Sequence, residues 1–192
     1  TEVAKHFNPK PPVALFKTFG TAHIKFSDVE VEFVGARKES YSRDSRKPSV
    51  TVGTIEDDQN RRDFTINALA IDISDANFGN LVDPFEGMLH IAQKIIKTPL
   101  APEQTFDDDP LSMMRAIRFA TQLNFTITEE TFSAIKKMAD RITIVSQERI
   151  TDELQKIMKT PVPSKGWYLL KEAGLLAYIF PQFLQLEGAE TL

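Results

Sequence analysis

One short stretch of the chain concentrates side chains that bind phosphates and hydroxyls. Residues 61–68 read RRDFTINA, so two cations, a carboxylate and an amide lie among apolar residues. Guanidinium groups donate paired hydrogen bonds to phosphate oxygens. A helical turn would bring Asp63 and Asn67 onto one face, where both can bond sugar hydroxyls. The candidate nucleotide-binding residues are therefore Arg61, Arg62, Asp63 and Asn67. In the alternative interpretation Asp63 caps a helix, the arginines are solvated and Asn67 satisfies backbone groups.

A pair of carboxylates lies in an alternating segment upstream. Residues 22–34 alternate apolar and polar side chains on either side of Ser27 and Asp28, which predicts a β-hairpin. Because side chains alternate along a strand, Glu30 and Glu32 share one face. Two adjacent carboxylates are a candidate divalent-cation site, and the same pattern is also that of the solvated face of an edge strand.

Three segments resemble, in order, the motifs of one enzyme family. Residues 61–68 resemble the motif RRDFTxNA, residues 82–87 (VDPFEG) resemble a D-P-F-x-G segment, and residues 114–119 (MRAIRF) resemble a helix with spaced arginines. On these motifs the chain is identified as a member of the class II template-independent nucleotidyltransferases. These are the tRNA CCA-adding enzymes and the bacterial poly(A) polymerases. The resemblance covers nearly all of the chain after Val13.

The resemblance implies a fold and a mechanism. The fold is α+β, with an incomplete nucleotidyltransferase head holding a small mixed or antiparallel sheet over residues 1–100. A helical neck that binds RNA and nucleotide follows over residues 101–192. In the complete family member two Mg²⁺ ions bridge a carboxylate cluster and the nucleotide phosphates; one activates the RNA 3′-hydroxyl and the other stabilises the leaving pyrophosphate. By resemblance Glu32 is the catalytic and metal-binding carboxylate of this chain.

The family reads the incoming base with an E/D-D-x-x-R element, and here the sequence departs from it. Asp108 and Asp109 match the acidic pair, but Ser112 stands in place of the arginine. A serine hydroxyl lacks the paired donors of a guanidinium, so altered discrimination between C and A is expected. If the helix face that carries Arg115 and Arg118 lines the cleft, the two contact the triphosphate or the base. By resemblance Arg115 lines the base-reading wall together with Asp108 and Asp109. Alternatively, both arginines are surface cations.

A second departure concerns the beginning of the chain. The family's G-G-x-V-R-D turn and D-x-D strand precede this region, and nothing before Val13 resembles either. The closest local substitutes, EVE at residues 30–32 and DDD at residues 107–109, lie in other places. We therefore expect an incomplete head that is inactive by itself, its missing strands removed or carried on another chain. CCA addition and polyadenylation both remain open, as does a non-catalytic RNA-binding or assembly fragment.

The composition of the chain limits the class of protein to which it can belong. The 192 residues are 42% hydrophobic and 26% charged, as in one compact domain or two small ones. The absence of cysteine excludes disulfides and thiolate zinc sites and fits a cytoplasmic location. No apolar run is long enough to span a membrane. The net charge of −4 does not indicate nucleic-acid binding, although basic residues cluster over residues 37–47. The expected partners are ATP, possibly CTP, and the 3′ end of tRNA or another RNA.

Local patterns predict the elements that position these residues. Residues 36–60 are polar and lack periodicity, which predicts a long loop. Residues 88–94 predict a short helix, and the segment 100–104, which contains Pro102 and follows Pro99, predicts the boundary between head and neck. Asp109 is the predicted N-cap of the neck helix, with Pro110 as its first residue. Thr128 and Ser146 are predicted to cap two further helices.

Overall fold

Most strands lie in the first half of the chain and most helices in the second, which confirms the predicted α+β class. The computed structural model describes residues 2–16, 20–42, 45–186 and 188. The side chains of residues 38–50, and with them most of the basic cluster predicted at residues 37–47, lie outside the described part. The chain forms two compact units, residues 1–39 with 50–58 and residues 40–49 with 59–192.

The first unit contains a three-stranded antiparallel sheet. A short helix, α1 (Glu2–Lys5), precedes the strands β1 (Val13–Phe16), β2 (Thr21–Lys25) and β3 (Glu30–Val34), which lie in the order β1-β2-β3. Strands β2 and β3 form the predicted hairpin, whose turn is closed by the Phe26 amide donating to the Val29 carbonyl at 2.8 Å. Ile24 points into the unit's interior and is 1% exposed. The hairpin prediction is therefore confirmed.

The prediction of a long loop over residues 36–60 is wrong. This segment forms a two-stranded sheet of β4 (Arg37–Ser42) and β5 (Ser45–Val52), followed by α2 (Ile55–Asn60). The sequence of this segment does not alternate apolar and polar residues, so the pattern that predicts a half-buried strand is missing. Both strands are also edges, where Pro48 is tolerated. Helix α2 begins with a capping box: Thr54 Oγ1 accepts from the Asp57 amide at 3.1 Å, and Asp57 Oδ2 accepts from the Thr54 amide at 2.9 Å.

The second unit holds the remaining elements. Strands β6 and β7 pair in antiparallel fashion, whereas β8 and β9 pair in parallel fashion. Two 3₁₀ segments, Thr65–Asn67 and Ala139–Ile144, also belong here. In chain order the elements are β6 (Ala70–Ile71), β7 (Leu81–Val82), α3 (Gly87–Gln93), β8 (Ile95–Ile96), α4 (Pro102–Asp108), α5 (Leu111–Gln122), β9 (Thr126–Ile127), α6 (Glu129–Met138), α7 (Gln147–Met158), α8 (Pro163–Glu172), α9 (Leu176–Ile179) and α10 (Pro181–Leu184).

Helix α5 is the centre of the second unit. Met113, Met114, Ala116 and Ile117 are each 0% exposed, so apolar side chains are buried on more than one side of the helix. Helices α4, α7 and α8 pack against it. Such a helix is surrounded by its neighbours rather than lying on a surface. Its polar side chains must therefore pair with neighbouring elements or extend past them.

The helix starts differ in detail from the prediction. Helix α4 begins at Pro102, inside the segment expected to separate head from neck. Asp109 is not the N-cap of α5: it follows the last residue of α4, and Pro110 occupies the N-cap position, so α5 begins at Leu111. Thr128 caps α6 as predicted, because its side chain accepts a hydrogen bond from the Thr131 amide at 3.4 Å.

Ser146 precedes α7 as predicted but makes no capping hydrogen bond with its side chain. Among the helices of the described part, none has the length and apolar character needed to cross a membrane.

Candidate functional site

Asp63 is held by three neighbours within the second unit. Its Oδ1 atom accepts hydrogen bonds from the Asn67 side-chain amide and the Phe64 backbone amide, each at 2.9 Å. Its Oδ2 atom lies 2.6 Å from both Nε and Nη2 of Arg115, which is 52 residues away in the sequence. Because the Asp63 side chain is 10% exposed and that of Arg115 35%, water screens this charge-assisted pair only in part. The structure thus brings Asp63, Asn67 and Arg115 together.

The aromatic and hydroxyl residues that follow Asp63 fix the motif in place. Phe64 is 0% exposed and meets the ring of Phe119 edge-on, with centroids 5.8 Å apart. The Thr65 amide donates to the Lys97 carbonyl at 2.9 Å. Thr65 Oγ1 lies 2.9 Å from Nδ1 of the buried His90. Residues 63–65 are therefore anchored to α5, to α3 and to the segment after β8.

The D-P-F-x-G segment packs against the motif at residues 61–68. Asp83 accepts hydrogen bonds from the amides of Gly87 and Met88, at 2.6 and 2.9 Å, and so caps α3. A Cβ atom on Gly87 would lie 2.6 Å from the Thr65 carbonyl oxygen. Only glycine allows α3 to approach the motif this closely. We therefore infer structural roles for Asp83 and Gly87 of the D-P-F-x-G segment.

The two arginines that open the motif lie in the turn after α2. Arg61 is half-buried and Arg62 is exposed, and the Arg62 amide donates to the Gln59 carbonyl at 3.2 Å. Gln59 is itself 5% exposed, and its side-chain amide donates to the Ala68 carbonyl at 2.8 Å. Gln59 therefore ties the last turn of α2 to Ala68, the last residue of the motif.

The three aspartates at residues 107–109 lie at the end of α4 rather than at the beginning of α5. Asp107 and Asp108 occupy the last turn of α4, where the helix dipole disfavours carboxylates. Two arginines from elsewhere in the unit offset this cost. Arg141 Nη2 lies 3.0 Å from Asp107 Oδ1, and Arg149 Nη2 lies 3.3 Å from Asp109 Oδ2. Asp108 is half-buried.

Ser112 and Arg118 both point into the packed part of the unit. Ser112 is 3% exposed, and its amide donates to the Asp109 carbonyl at 2.9 Å. Arg118 Nε lies 2.6 Å from Glu153 Oε2, with the two side chains 11% and 3% exposed. Its guanidinium carbon also lies 3.9 Å from the Phe119 ring centroid. Arg118 thus links α5 to α7, and its contact with a nucleotide stays a prediction.

Glu32 belongs to the first unit, where it and Glu30 flank His23. His23 Nδ1 lies 3.2 Å from Glu30 Oε1, and His23 Nε2 lies 3.1 Å from Glu32 Oε1. The hydrogen bond with Glu30, followed by that with Glu32, raises the pKa of His23 above 6.5 despite partial desolvation. Because the two ring nitrogens face opposite carboxylates, the three side chains do not converge on one cation.

The described side chains of the first unit therefore do not form a group of magnesium ligands. Within residues 2–16, 20–37 and 51–186, no three histidine, cysteine, aspartate or glutamate side chains are grouped as metal ligands. The role of Glu32 as a metal ligand stays a prediction.

Sequence reasoning missed four residues that organise the site: Gln59, His90, Arg141 and Arg149. His90 and Arg141 carry no motif. Arg149 lies in the string QERI, whose likeness to the family's E-R-I/M segment indicates only a structural role. Its partner Asp109 is 40 residues away, a separation from which no contact can be predicted.

The family follows from two matches that together span most of the chain. Residues 1–97 match the model of the poly A polymerase head domain, and residues 124–186 match that of the probable RNA and SrmB-binding site of polymerase A. The chain belongs to this family of nucleotidyltransferases, which confirms the predicted membership.

Three relatives show how similar the chain is to individual members of the family. The CCA-adding enzyme of Geobacillus sp. (strain WCH70) is 40% identical over 162 residues, which cover 83% of this chain and 39% of that protein. A crystal structure of the Bacillus stearothermophilus CCA-adding enzyme in complex with CTP is 35% identical, with a TM-score of 0.73 over 83% of this chain and 38% of that one. A tRNA nucleotidyltransferase complexed with a primer tRNA and an incoming ATP analog is 28% identical, with a TM-score of 0.78 over 93% of this chain and 49% of that one. The chain spans less than half the length of these relatives.

Proposed function

We propose that the chain binds ATP and CTP and takes part in the template-independent addition of nucleotides to the 3′ end of tRNA. The observation that carries this proposal is the Asp63 cluster. It holds a carboxylate, an amide and a guanidinium together in the motif by which the chain resembles its family. The relatives that are CCA-adding enzymes, one of them in complex with CTP, support tRNA as the acceptor.

We assign roles to the motif residues by their chemistry. Arg61 and Arg62 bind the triphosphate, because guanidinium groups match phosphate oxygens. Asn67 and Asp63 bond the ribose hydroxyls. Arg115 acts on Asp63 and holds its carboxylate in place, since both of its neighbouring donors lie 2.6 Å from the same oxygen.

The remaining assignments follow the family. Asp108 and Asp109 form the wall against which the incoming base is read. Residues 1–100 form the head, and residues 101–192 form the neck that carries the RNA. We place the protein in the cytoplasm, an assignment supported by the absence of cysteine.

In this proposal the transfer of the nucleotide depends on Mg²⁺, and by resemblance Glu32 would be one of the carboxylates that hold the ion. A divalent ion would supply charge neutralisation at the phosphates.

A nucleotide-binding and labelling experiment tests the proposal. The chain is titrated with ATP and CTP in Mg²⁺, and is then incubated with labelled nucleotide and tRNA lacking its 3′ end. We expect saturable binding of both nucleotides that Arg62→Gln weakens. Lys136→Gln is the matched control, because it removes a cation paired with Glu172 far from the motif in sequence, and it should bind like the unaltered chain. If neither nucleotide binds, the proposal is refuted. Incorporation of label would support it and would contradict the expectation that the chain is inactive alone.

One observation favours a second function, that of a non-catalytic RNA-binding fragment. Residues 124–186 match the probable RNA and SrmB-binding site of polymerase A. This function predicts that tRNA binds whereas ATP and CTP do not. The same titrations, repeated with tRNA as the ligand, therefore distinguish the two functions.

A further inference from the structure

We propose that a cavity bounded by α8, α9 and α10 binds an unpaired base of the acceptor RNA, which stacks on the aromatic side chains of the cavity wall. The inference rests on the proposed RNA substrate and adds a binding site apart from the Asp63 cluster. The side chains that line the cavity all belong to residues 124–186, the segment that matches the probable RNA and SrmB-binding site of polymerase A.

One wall of the cavity is both aromatic and basic. Helix α8 supplies this wall with side chains three or four residues apart, which therefore share one face of the helix: Ser164, Trp167, Tyr168 and Lys171. The opposite wall is apolar and includes Phe183 of α10. The cavity has a volume of about 360 Å³, which is within the range of sites for small ligands.

The aromatic part of the wall is held in one arrangement. Trp167 Nε1 donates to Met158 Sδ at 2.8 Å, and the Trp167 ring stacks on that of Phe183 with centroids 4.5 Å apart and planes 24° apart. A Cβ atom on Gly166 would lie 2.5 Å from Ile157 Cγ2, so α8 packs directly against α7 at this point. A base that stacks here therefore has few side chains to order, which favours binding.

The exposed part of the wall has the chemistry of a nucleotide site. Tyr168 is 72% exposed and Phe183 is 39% exposed, so their rings are accessible to a ligand. Proteins that bind single-stranded RNA combine such rings, on which bases stack, with cations that attract the phosphates. Lys171 supplies a cation on the same wall. A nucleotide matches both features, whereas an apolar side chain of a protein would match only the rings.

Stacking determines which form of RNA can enter the cavity. Every base has a flat aromatic face, so stacking selects little for sequence. The bases of a duplex are already stacked on one another, whereas those of a single strand can be splayed onto a protein ring. The expected ligand is therefore an unpaired segment of RNA.

Trp167 is the only tryptophan of the chain, so its fluorescence reports directly on the cavity. The whole chain is titrated with single-stranded octaadenylate and, separately, with a blunt-ended RNA duplex. We expect the octaadenylate to quench the emission saturably and the duplex to leave it unchanged. Tyr168→Ala should weaken the binding of octaadenylate by about fivefold or more, the loss expected for one stacked base. Tyr168→Phe keeps the ring and should bind like the unaltered chain.

The salt dependence of binding tests the role of the lysine. Lys171→Gln should reduce the slope of log affinity against log salt concentration by about 0.7, the value for one phosphate contact with a single strand. Lys137→Gln is its control, because it removes an exposed cation paired with Glu103. Tyr178→Ala is the control for the ring, because Tyr178 is an exposed tyrosine of α9 outside the cavity. Both controls should bind like the unaltered chain, and circular dichroism checks that every variant is folded.

Several results would overturn the inference. They are an emission that octaadenylate leaves unchanged or that the duplex quenches equally, an affinity that Tyr168→Ala keeps, and an equal loss of affinity in Tyr178→Ala. A cavity that seats an apolar protein segment instead would bind the dye ANS, and octaadenylate would not displace it. Titration with ATP separates this inference from the proposed function. A chain that binds ATP but not octaadenylate refutes the RNA site alone, and one that binds octaadenylate but neither ATP nor CTP refutes nucleotide addition alone.

Discussion

The pairing of Asp63 with Arg115 leads to a prediction about both stability and binding. Arg115→Gln removes a guanidinium that places two donors 2.6 Å from one carboxylate oxygen. Exposed ion pairs contribute about 0–1 kcal/mol, whereas breaking a buried pair costs about 3–5 kcal/mol. With Asp63 10% exposed and Arg115 35% exposed, the cost falls between these limits. We expect a loss of about 2 kcal/mol in the free energy of unfolding, or about 4–8 °C in Tm for a chain of this length.

Asp63→Asn should cost at least as much. An asparagine can turn its amide NH₂ toward Arg115 or toward the donors of Phe64 and Asn67, and either orientation sets donor against donor. The double variant should lose less than the sum of the two, with a coupling of about 1–2 kcal/mol. Lys136→Gln is the comparison, because its exposed pair with Glu172 should contribute no more than about 1 kcal/mol.

The assay combines urea unfolding, followed by circular dichroism, with calorimetric titration of CTP. If Arg115 acts through Asp63, both single variants and the double variant weaken CTP binding to a similar extent. A variant Arg115→Gln that loses CTP affinity but keeps its stability would refute this reasoning. It would show that Arg115 contacts the nucleotide directly. A coupling near zero would also refute it.

Three further predictions concern other elements. Gly87→Ala should cost about 1–3 kcal/mol in unfolding free energy, because its Cβ atom meets a backbone carbonyl at 2.6 Å; an unchanged urea midpoint would contradict this. Arg118→Leu leaves the Glu153 carboxylate, 3% exposed, without its closest cation and should cost about 3 kcal/mol, part of which a second change, Glu153→Leu, restores in thermal melts. The pKa of His23, measured by NMR titration, should lie above 6.5 and fall in Glu30→Gln; since the folded pKa is raised, this stabilisation is complete below pH 6.5 and is lost as the pH rises through the raised value. A pKa of His23 that does not respond to Glu30→Gln would contradict the assigned cause.

Local patterns were sufficient to predict some elements. The hairpin of β2 and β3 follows from alternation around a polar turn, and Thr128 caps α6 as its sequence context predicts. The contact between Asp63 and Asn67 follows from their spacing of four residues. In each case the determining interactions lie within a few residues of one another. Such interactions are visible in the sequence alone.

Elements that depend on distant partners were missed or misplaced. The sequence of β4 and β5 does not alternate apolar and polar residues, so it lacks the pattern from which strands are predicted. The start of α5 shifted from Pro110 to Leu111 because α4 extends up to Asp108. The partner of Arg115 lies 52 residues away and that of Arg118 35 residues away. Spacing carries no information about these pairs, which depend on how helices pack.

The parallel pairing of β8 with β9 constrains how proteins of this family can exchange parts. Ile95–Ile96 belongs to the segment that matches the head domain, and Thr126–Ile127 to the segment that matches the RNA-binding region. The Lys94 carbonyl accepts from the Thr126 amide at 2.8 Å, and the Ile96 carbonyl accepts from the Thr128 amide at 3.1 Å. In a chimera that joins the head of one relative to the neck of another near residue 100, β8 and β9 would come from different parent proteins. Their backbone hydrogen bonds would then have to form between strands that did not evolve together. Recombination should therefore succeed more often when residues 94–128 are inherited as one block.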